Sequence, residues 1–112
     1  MAHDRKFRFA AQLSTAPEGT AKSWAEQARK VEDLGYSALL MPDHFGDQLA
    51  PIPALAVVAA ATSTLHMGSL VFCNDYRHPF VLAKEAATLD LLSEGRLELS
   101  LGAGRVAAPD AA

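Results

Sequence analysis

The chain is short of several things that would have named a function class at once. It has a single cysteine, Cys73, among 112 residues. An internal disulfide is therefore excluded, and a reducing compartment is the natural setting. Positive charge is sparse: the formal net charge is −3, and Arg5-Lys6-Phe7-Arg8 makes only a short basic patch, read as a solvated end. A nucleic-acid partner would find no electrostatic footprint here. The longest apolar run, from Leu49 to Ala61, is broken by Pro51 and Pro53 and is too short to span a bilayer. The first residues, MAHDRKF, lack the apolar core of a secretory signal. No membrane partner is expected, and the expected location is cytoplasmic. Metal binding is also disfavoured, because His3, His44, His66 and His78 do not fall at ligand spacing and Cys73 has no cysteine partner.

What remains is the composition of a small globular domain, half hydrophobic and about a fifth charged. The pattern alternates. Phe7 to Leu13 suits a first strand, and Ser14 to Gly19 reads as a loop around Pro17. Thr20 can cap a helix whose apolar positions Trp24, Ala28, Val31 and Leu34 recur at helical spacing, with Gly35 as its stop. Tyr36 to Met41 is apolar on consecutive positions, as in a parallel strand covered on both faces. Pro53 is expected to open a second helix through Thr62. Leu65 to Phe72 is a third strand, and Gly68-Ser69 inside it predicts a bulge or a close backbone approach. Pro79 starts a third helix carrying Leu82, Ala86, Leu89 and Leu92. Gly95 ends it, and Leu97 to Leu101 is a fourth strand. The order β-α-β-α-β-α-β implies a parallel sheet with right-handed crossovers.

Such a sheet is either an open doubly wound one or the first half of a (β/α)8 barrel, and both put their sites at the carboxyl ends of the strands. The polar chemistry collects there: Gln12, Asp43-His44, Cys73-Asn74-Asp75 and Gly102 to Gly104. Asp43-His44 is the best catalytic candidate, an imidazole of near-neutral pKa beside a carboxylate that can tune it. A loop histidine hydrogen-bonded for structure would leave the same pair. Gly102-Ala103-Gly104 could turn backbone N–H groups toward an anion, but the third glycine of a dinucleotide fingerprint is absent. Arg105 reads as an anion contact or a solvated residue. Cys73 reads as a nucleophile or, more simply, a buried strand-end residue. His66 reads as structural, and His78 as a cap or phosphate contact before Pro79.

Two stretches carry a family resemblance: LGYSALLMPDHFGDQ around the second strand, and GSLVFCNDYRHPFVLAKEAATLDLLSEGRLELSLGAG from the third strand to the fourth. The second is an ordered series (R-H-P, L-A-K, A-T-L-D, S-x-G-R, G-x-G) and far more specific than any single motif. From about Phe7 to Gly104 the chain resembles the luciferase-like monooxygenase superfamily, especially its coenzyme F-420-dependent oxidoreductases. The resemblance implies a (β/α)8 barrel with a deazaflavin or flavin ring at the C-terminal mouth, where hydride passes between the ring and a small-molecule substrate. It implies that His44 and Asp43 lie near the ring, with Asp43 holding His44. Ser69, Leu70, Phe72, Gly102 and Gly104 would complete the cofactor contacts. It also implies a non-prolyl cis peptide in the third strand, between Ser69 and Leu70.

Relatives of this type continue past G-x-G with Trp or an acidic residue, a long helix and further strands, whereas here Arg105 begins the tail RVAAPDAA. A whole barrel takes about 250 residues. Residues 1–104 are accordingly expected to be the N-terminal half of a truncated barrel, and 105–112 a tail foreign to the family. Three functional readings follow: an F-420-dependent oxidoreductase with His44 as proton donor or ring partner, an FMN-dependent monooxygenase, or a catalytically inactive half-barrel. In each, open sheet edges and uncovered inner faces are expected to drive association into a homodimer or larger.

Overall fold

A four-stranded parallel sheet carries the molecule, and its strands are short because each contributes only a few residues to the ladder. The computed structural model describes residues 6–104. In chain order the elements are β1 (Ala10–Gln12), α1 (Ala21–Asp33), β2 (Ala38–Met41), α2 (Pro51–Ala61), β3 (His66–Ser69), β4 (Phe72–Cys73), a 3-10 turn (Asn74–Tyr76), α3 (Pro79–Leu92), β5 (Leu97–Glu98) and β6 (Leu101–Gly102). The main sheet runs β1-β2-β3-β5, and β4 and β6 form a second, two-stranded sheet. All the pairings are parallel. This is the expected β/α alternation, with two differences in the strands.

The expected third and fourth strands are each divided. Leu70 N–H still donates to Met41 O at 2.9 Å, but the chain then leaves the main ladder. It re-pairs as β4, in register Phe72↔Leu101 and Cys73↔Gly102 with β6. The expected first strand, Phe7 to Leu13, pairs regularly only over Ala10–Gln12, with β2 as its one neighbour among the described residues. Hydrogen bonds from Ser37 N–H to Phe9 O and from Leu13 N–H to Leu40 O extend it by a residue at each end.

The helices follow their local signals closely. Thr20 Oγ1 accepts from Ser23 N–H at 3.1 Å, the N-cap expected of it. Gly35 and Gly95 follow α1 and α3 with φ of +90° and +82°. Trp24, Ala28 and Val31 are buried along α1, and Leu82, Ala86 and Leu89 along α3. The last member expected in each stripe is exposed instead, Leu34 at 65% and Leu92 at 71%. Each sits where its helix ends and the surface turns away from the core. α2 begins at Pro51 rather than Pro53. Both prolines fit, because the first N–H groups of a helix have no intrahelical partner to lose.

Side-chain alternation gives the sheet two faces. Leu39, Met41 and Met67 point outward into a core with Trp24, Leu55, Val58 and Leu82, and Ala11, Leu13 and Leu97 pack at its border. Residues of the other parity, among them Ala10, Ala38, Leu40, His66 and Glu98, line a concave inner face. The sheet is curled enough for Arg8, just before β1, to hydrogen-bond Glu98 on β5. Gly68 fulfils the close approach expected of it: a Cβ there would lie 2.1 Å from Glu98 O.

Two charged side chains pin the ends opposite the strand carboxyl termini. Glu32 on α1 accepts the N–H groups of Ser63, Thr64 and Leu65, closing the turn into β3. Arg96 donates Nε to Ser93 O (2.7 Å), Nη1 to Leu65 O (2.8 Å) and Nη2 to Ala59 O (2.8 Å), so one guanidinium joins α2, α3 and β3. Lysine has the charge but not the planar fork. Arg96→Lys should therefore lower the unfolding free energy by about 2 kcal/mol, read as a drop in denaturant midpoint at unchanged slope.

Candidate functional site

The site grows from the carboxyl end of β2. Two residues past Met41, Asp43 turns its carboxylate inward, with 4% of the side chain exposed. Three donors converge on it. Arg77 clamps it with two parallel bonds, Nη1 to Oδ2 at 2.7 Å and Nη2 to Oδ1 at 2.9 Å. The Cys73 N–H donates to Oδ2 at 2.7 Å. The Arg77 guanidinium also lies over the Phe72 ring, 5.3 Å from its centroid. Burial alone would push the Asp43 carboxyl up, but these donors and the neighbouring positive charge hold it below the ordinary carboxylate range. Asp43 thus ties the end of β2 to β4 and to the segment leading into α3.

This corrects one expected role. The hydrogen bonds of the Asp43 carboxylate go to Arg77 and Cys73, and none among the described residues goes to His44. The His44 loop is fastened instead by Gln48, whose Oε1 accepts the His44 N–H at 3.2 Å. Gln48 Nε2 donates to Pro42 O and Leu49 O. The His44 side chain is left exposed at the mouth.

Around it opens a cavity of about 820 Å³. Of the expected site residues, Asp43, His44, Leu70, Gly102 and Gly104 line it together. Ser69 and Phe72 do not: Ser69 Oγ donates to Met41 O at 2.7 Å within the sheet, and Phe72 is fully buried beneath Arg77. Ser69 shares the parity of Met67, which faces the core, while Phe72 lies in the separate strand β4, both of whose residues are buried. The cis peptide lies at Leu70–Val71, one bond beyond the expected Ser69–Leu70. The physical difference is that Leu70 N–H is still engaged in the β2 ladder, so the chain departs only after it. Arg105 lies outside the described residues. His78 is a cap, its Nδ1 accepting from Phe80 N–H at 3.1 Å.

The sequence alone did not single out Phe45, Val71, Tyr76 or Arg77 for the site. Phe45 and Tyr76 meet edge to face, with centroids 4.7 Å apart, on loops more than thirty residues apart in sequence. Leu70 and Val71, at 55% and 37% exposed, present an apolar surface to the same cavity. A hint for Tyr76 and Arg77 was present in N-D-Y-R-H-P, where polar and aromatic residues precede a helix-starting proline. Nothing local in the sequence pairs Arg77 with Asp43.

An apolar surface flanked by aromatic rings and an exposed imidazole suits a flat heterocycle with a polar edge. No Lys or Arg is among the residues lining the cavity. A parallel β/α sheet with such a cavity at its strand carboxyl ends is the architecture of a (β/α)8-barrel enzyme's N-terminal portion. The comparisons agree. The luciferase-like monooxygenase profile matches residues 6–110, and the chain belongs to that family.

Among relatives, 4-hydroxyprotoasukamycin monooxygenase of Streptomyces nodosus subsp. asukaensis is 33% identical over 85 residues, covering 72% of this chain and 23% of that protein. The F-420-dependent hydroxymycolic acid dehydrogenase of Mycobacterium tuberculosis is 34% identical over 85 residues, covering 69% and 24%. The coenzyme F-420-dependent tetrahydromethanopterin reductase from Methanopyrus kandleri superposes with a TM-score of 0.79 at 26% identity, over 90% of this chain and 28% of that one. The chain thus spans about a quarter of the length of these relatives.

Because the folded Asp43 value is depressed, its contribution is complete above the unfolded carboxyl pKa of about 3.9 and is lost as pH falls through the lower folded value. Asp43→Asn should cost about 3 kcal/mol at neutral pH by leaving Arg77 without its charged partner. It should also flatten the acid limb of the stability–pH curve. A variant whose acid limb matches the wild type would show that Asp43 does not carry this dependence.

Proposed function

We propose that this chain supplies the ring-binding part of a hydride-transfer site of the coenzyme F-420 class, acting on a small-molecule substrate. The observation that carries it is the convergence of His44, Phe45, Leu70, Val71 and Tyr76 on one cavity at the strand carboxyl ends. Leu70 and Val71 would back the ring, with Phe45 and Tyr76 closing one side of the mouth. The cofactor, when bound, supplies the hydride donor or acceptor. His44, exposed and free of a side-chain clamp, would hold or deliver the accompanying proton. Asp43 is a positioning residue in this scheme: through Arg77 and Cys73 it fixes the backbone that presents Val71 and Tyr76. The lone free Cys73 favours a cytoplasmic setting.

FMN is the alternative cofactor. The choice is decided by titrating the folded chain separately with F-420 and with FMN while following ring fluorescence. Micromolar binding of F-420, weaker binding of FMN, and about tenfold weaker F-420 binding by His44→Ala are expected. Preferential FMN binding would replace the first cofactor with the second. If neither bound a folded sample, an inactive half-barrel would stand in place of both.

A further inference from the structure

The loop that carries His44 and Phe45 has no ladder to hold it. Residues 42–50, between β2 and α2, form neither helix nor strand, and His44, Phe45, Gly46 and Asp47 are all exposed. Phe45 is 81% exposed, yet both it and His44 line the cavity. A single amide organises this loop from beneath. Half-buried Gln48 accepts the His44 N–H on Oε1 at 3.2 Å, and its Nε2 donates to Pro42 O at 2.7 Å and Leu49 O at 2.9 Å. One side chain thereby engages the start, the middle and the end of the same loop. The Gln48 N–H donates to Gly46 O, and the Leu49 N–H donates to Ser14 O in the loop after β1. Gln48 itself is not among the residues lining the cavity.

We propose that Gln48 is a positioning residue for this site: without touching the ligand, it sets where the His44 imidazole and the Phe45 ring stand. The inference rests on reading the cavity as a ring-binding, proton-handling site. Glutamine suits the task because its amide offers an acceptor and two donors at one end of a flexible stem. It can therefore complement N–H and C=O groups of a chain that has turned back on itself. An apolar side chain of the same length would fill the space and make none of these bonds. A loop free to swing loses conformational entropy when its side chains engage a ligand, whereas a loop already closed has lost it beforehand. The Phe45 ring then joins the closed loop to the 3-10 turn across the mouth, through its edge-to-face contact with Tyr76 at 4.7 Å. His44 and Phe45 are thus presented to the cavity from a fixed backbone, and Gln48 is what fixes it.

The test compares the full wild-type chain with Gln48→Met, which keeps the side-chain length and loses every side-chain hydrogen bond. Circular dichroism establishes that each variant is folded. Without ligand, NMR should show the His44 amide exchanging about tenfold faster in Gln48→Met. The Phe45–Tyr76 ring contact should be lost, while amides in α1 and α3 exchange as before. With whichever of F-420 and FMN binds the wild type, followed by ring fluorescence, affinity should fall about fivefold. Placed in a His44→Ala, Phe45→Ala chain, the same substitution should change affinity by less than about twofold, because the groups it positions are gone. An equal loss in both backgrounds would overturn the proposal, since Gln48 would then act on the fold at large. So would wild-type affinity in Gln48→Met, or unchanged exchange and ring contact. If the wild type binds neither ring, the hydride-transfer reading falls by itself, and the ligand-free measurements alone decide whether Gln48 places His44 and Phe45. Should Gln48→Met not fold, Gln48→Asn, one methylene shorter and unable to span the loop, takes its place with the same expected results.

Discussion

One buried carboxylate organises the mouth of this sheet. Asp43 sits two residues beyond β2, where a parallel strand has run out of ladder partners and its chain must turn. A charge taken out of water there is tolerable only if its oxygens are bonded. The fork of Arg77 and the N–H of Cys73 meet that requirement. In doing so they draw together three segments that no backbone ladder connects: the loop after β2, the end of β4 and the approach to α3. The cavity with its apolar surface and aromatic edge exists because those segments are held in register. Arg77 in turn packs on Phe72, so the clamp is anchored in the core rather than standing free.

The opposite end of the sheet is secured by the same physics with the charges arranged differently. Glu32 gathers three backbone N–H groups, and Arg96 gathers carbonyls from α2, from the cap of α3 and from the residue before β3. Both act on helix ends and turns, where orphaned donors and acceptors accumulate. Between these two ends the core is conventional, alternating strand residues packed on the apolar stripes of α1, α2 and α3. Charged side chains bind backbone at both ends of the sheet. The mouth stays open where His44 and Phe45 project, which is the division a ligand site wants.

The chain belongs to the luciferase-like monooxygenase family. The residues present form an apolar surface with an aromatic edge, and no Lys or Arg is among those lining the cavity. In a (β/α)8 barrel the βα loops all contribute to one mouth, and phosphate contacts commonly come from the later ones. The described cavity lies at the strand carboxyl ends, where such a mouth forms, in a chain spanning about a quarter of its relatives' length.

Much of this was legible in the residues themselves. Helical spacing with Thr20, Pro79, Gly35 and Gly95 marked α1 and α3, because caps and stops act within a few residues of themselves. Consecutive apolar residues marked β2 as a parallel strand, and Gly68 announced the close approach of Glu98. Asp43 and His44 were recognisable as candidates from their place after a strand. The sequence could not say that Asp43 would turn to Arg77 instead of His44, or that Ser69 and Phe72 would face inward. Nor could it say that Phe45 would meet Tyr76, or that the chain would leave the ladder at Leu70–Val71. Those outcomes depend on contacts between residues roughly thirty apart, settled by which donors reach a buried charge and which side of a strand faces the core. Local pattern determined the elements and their order. Only the closed packing of those elements decided which side chains share the cavity.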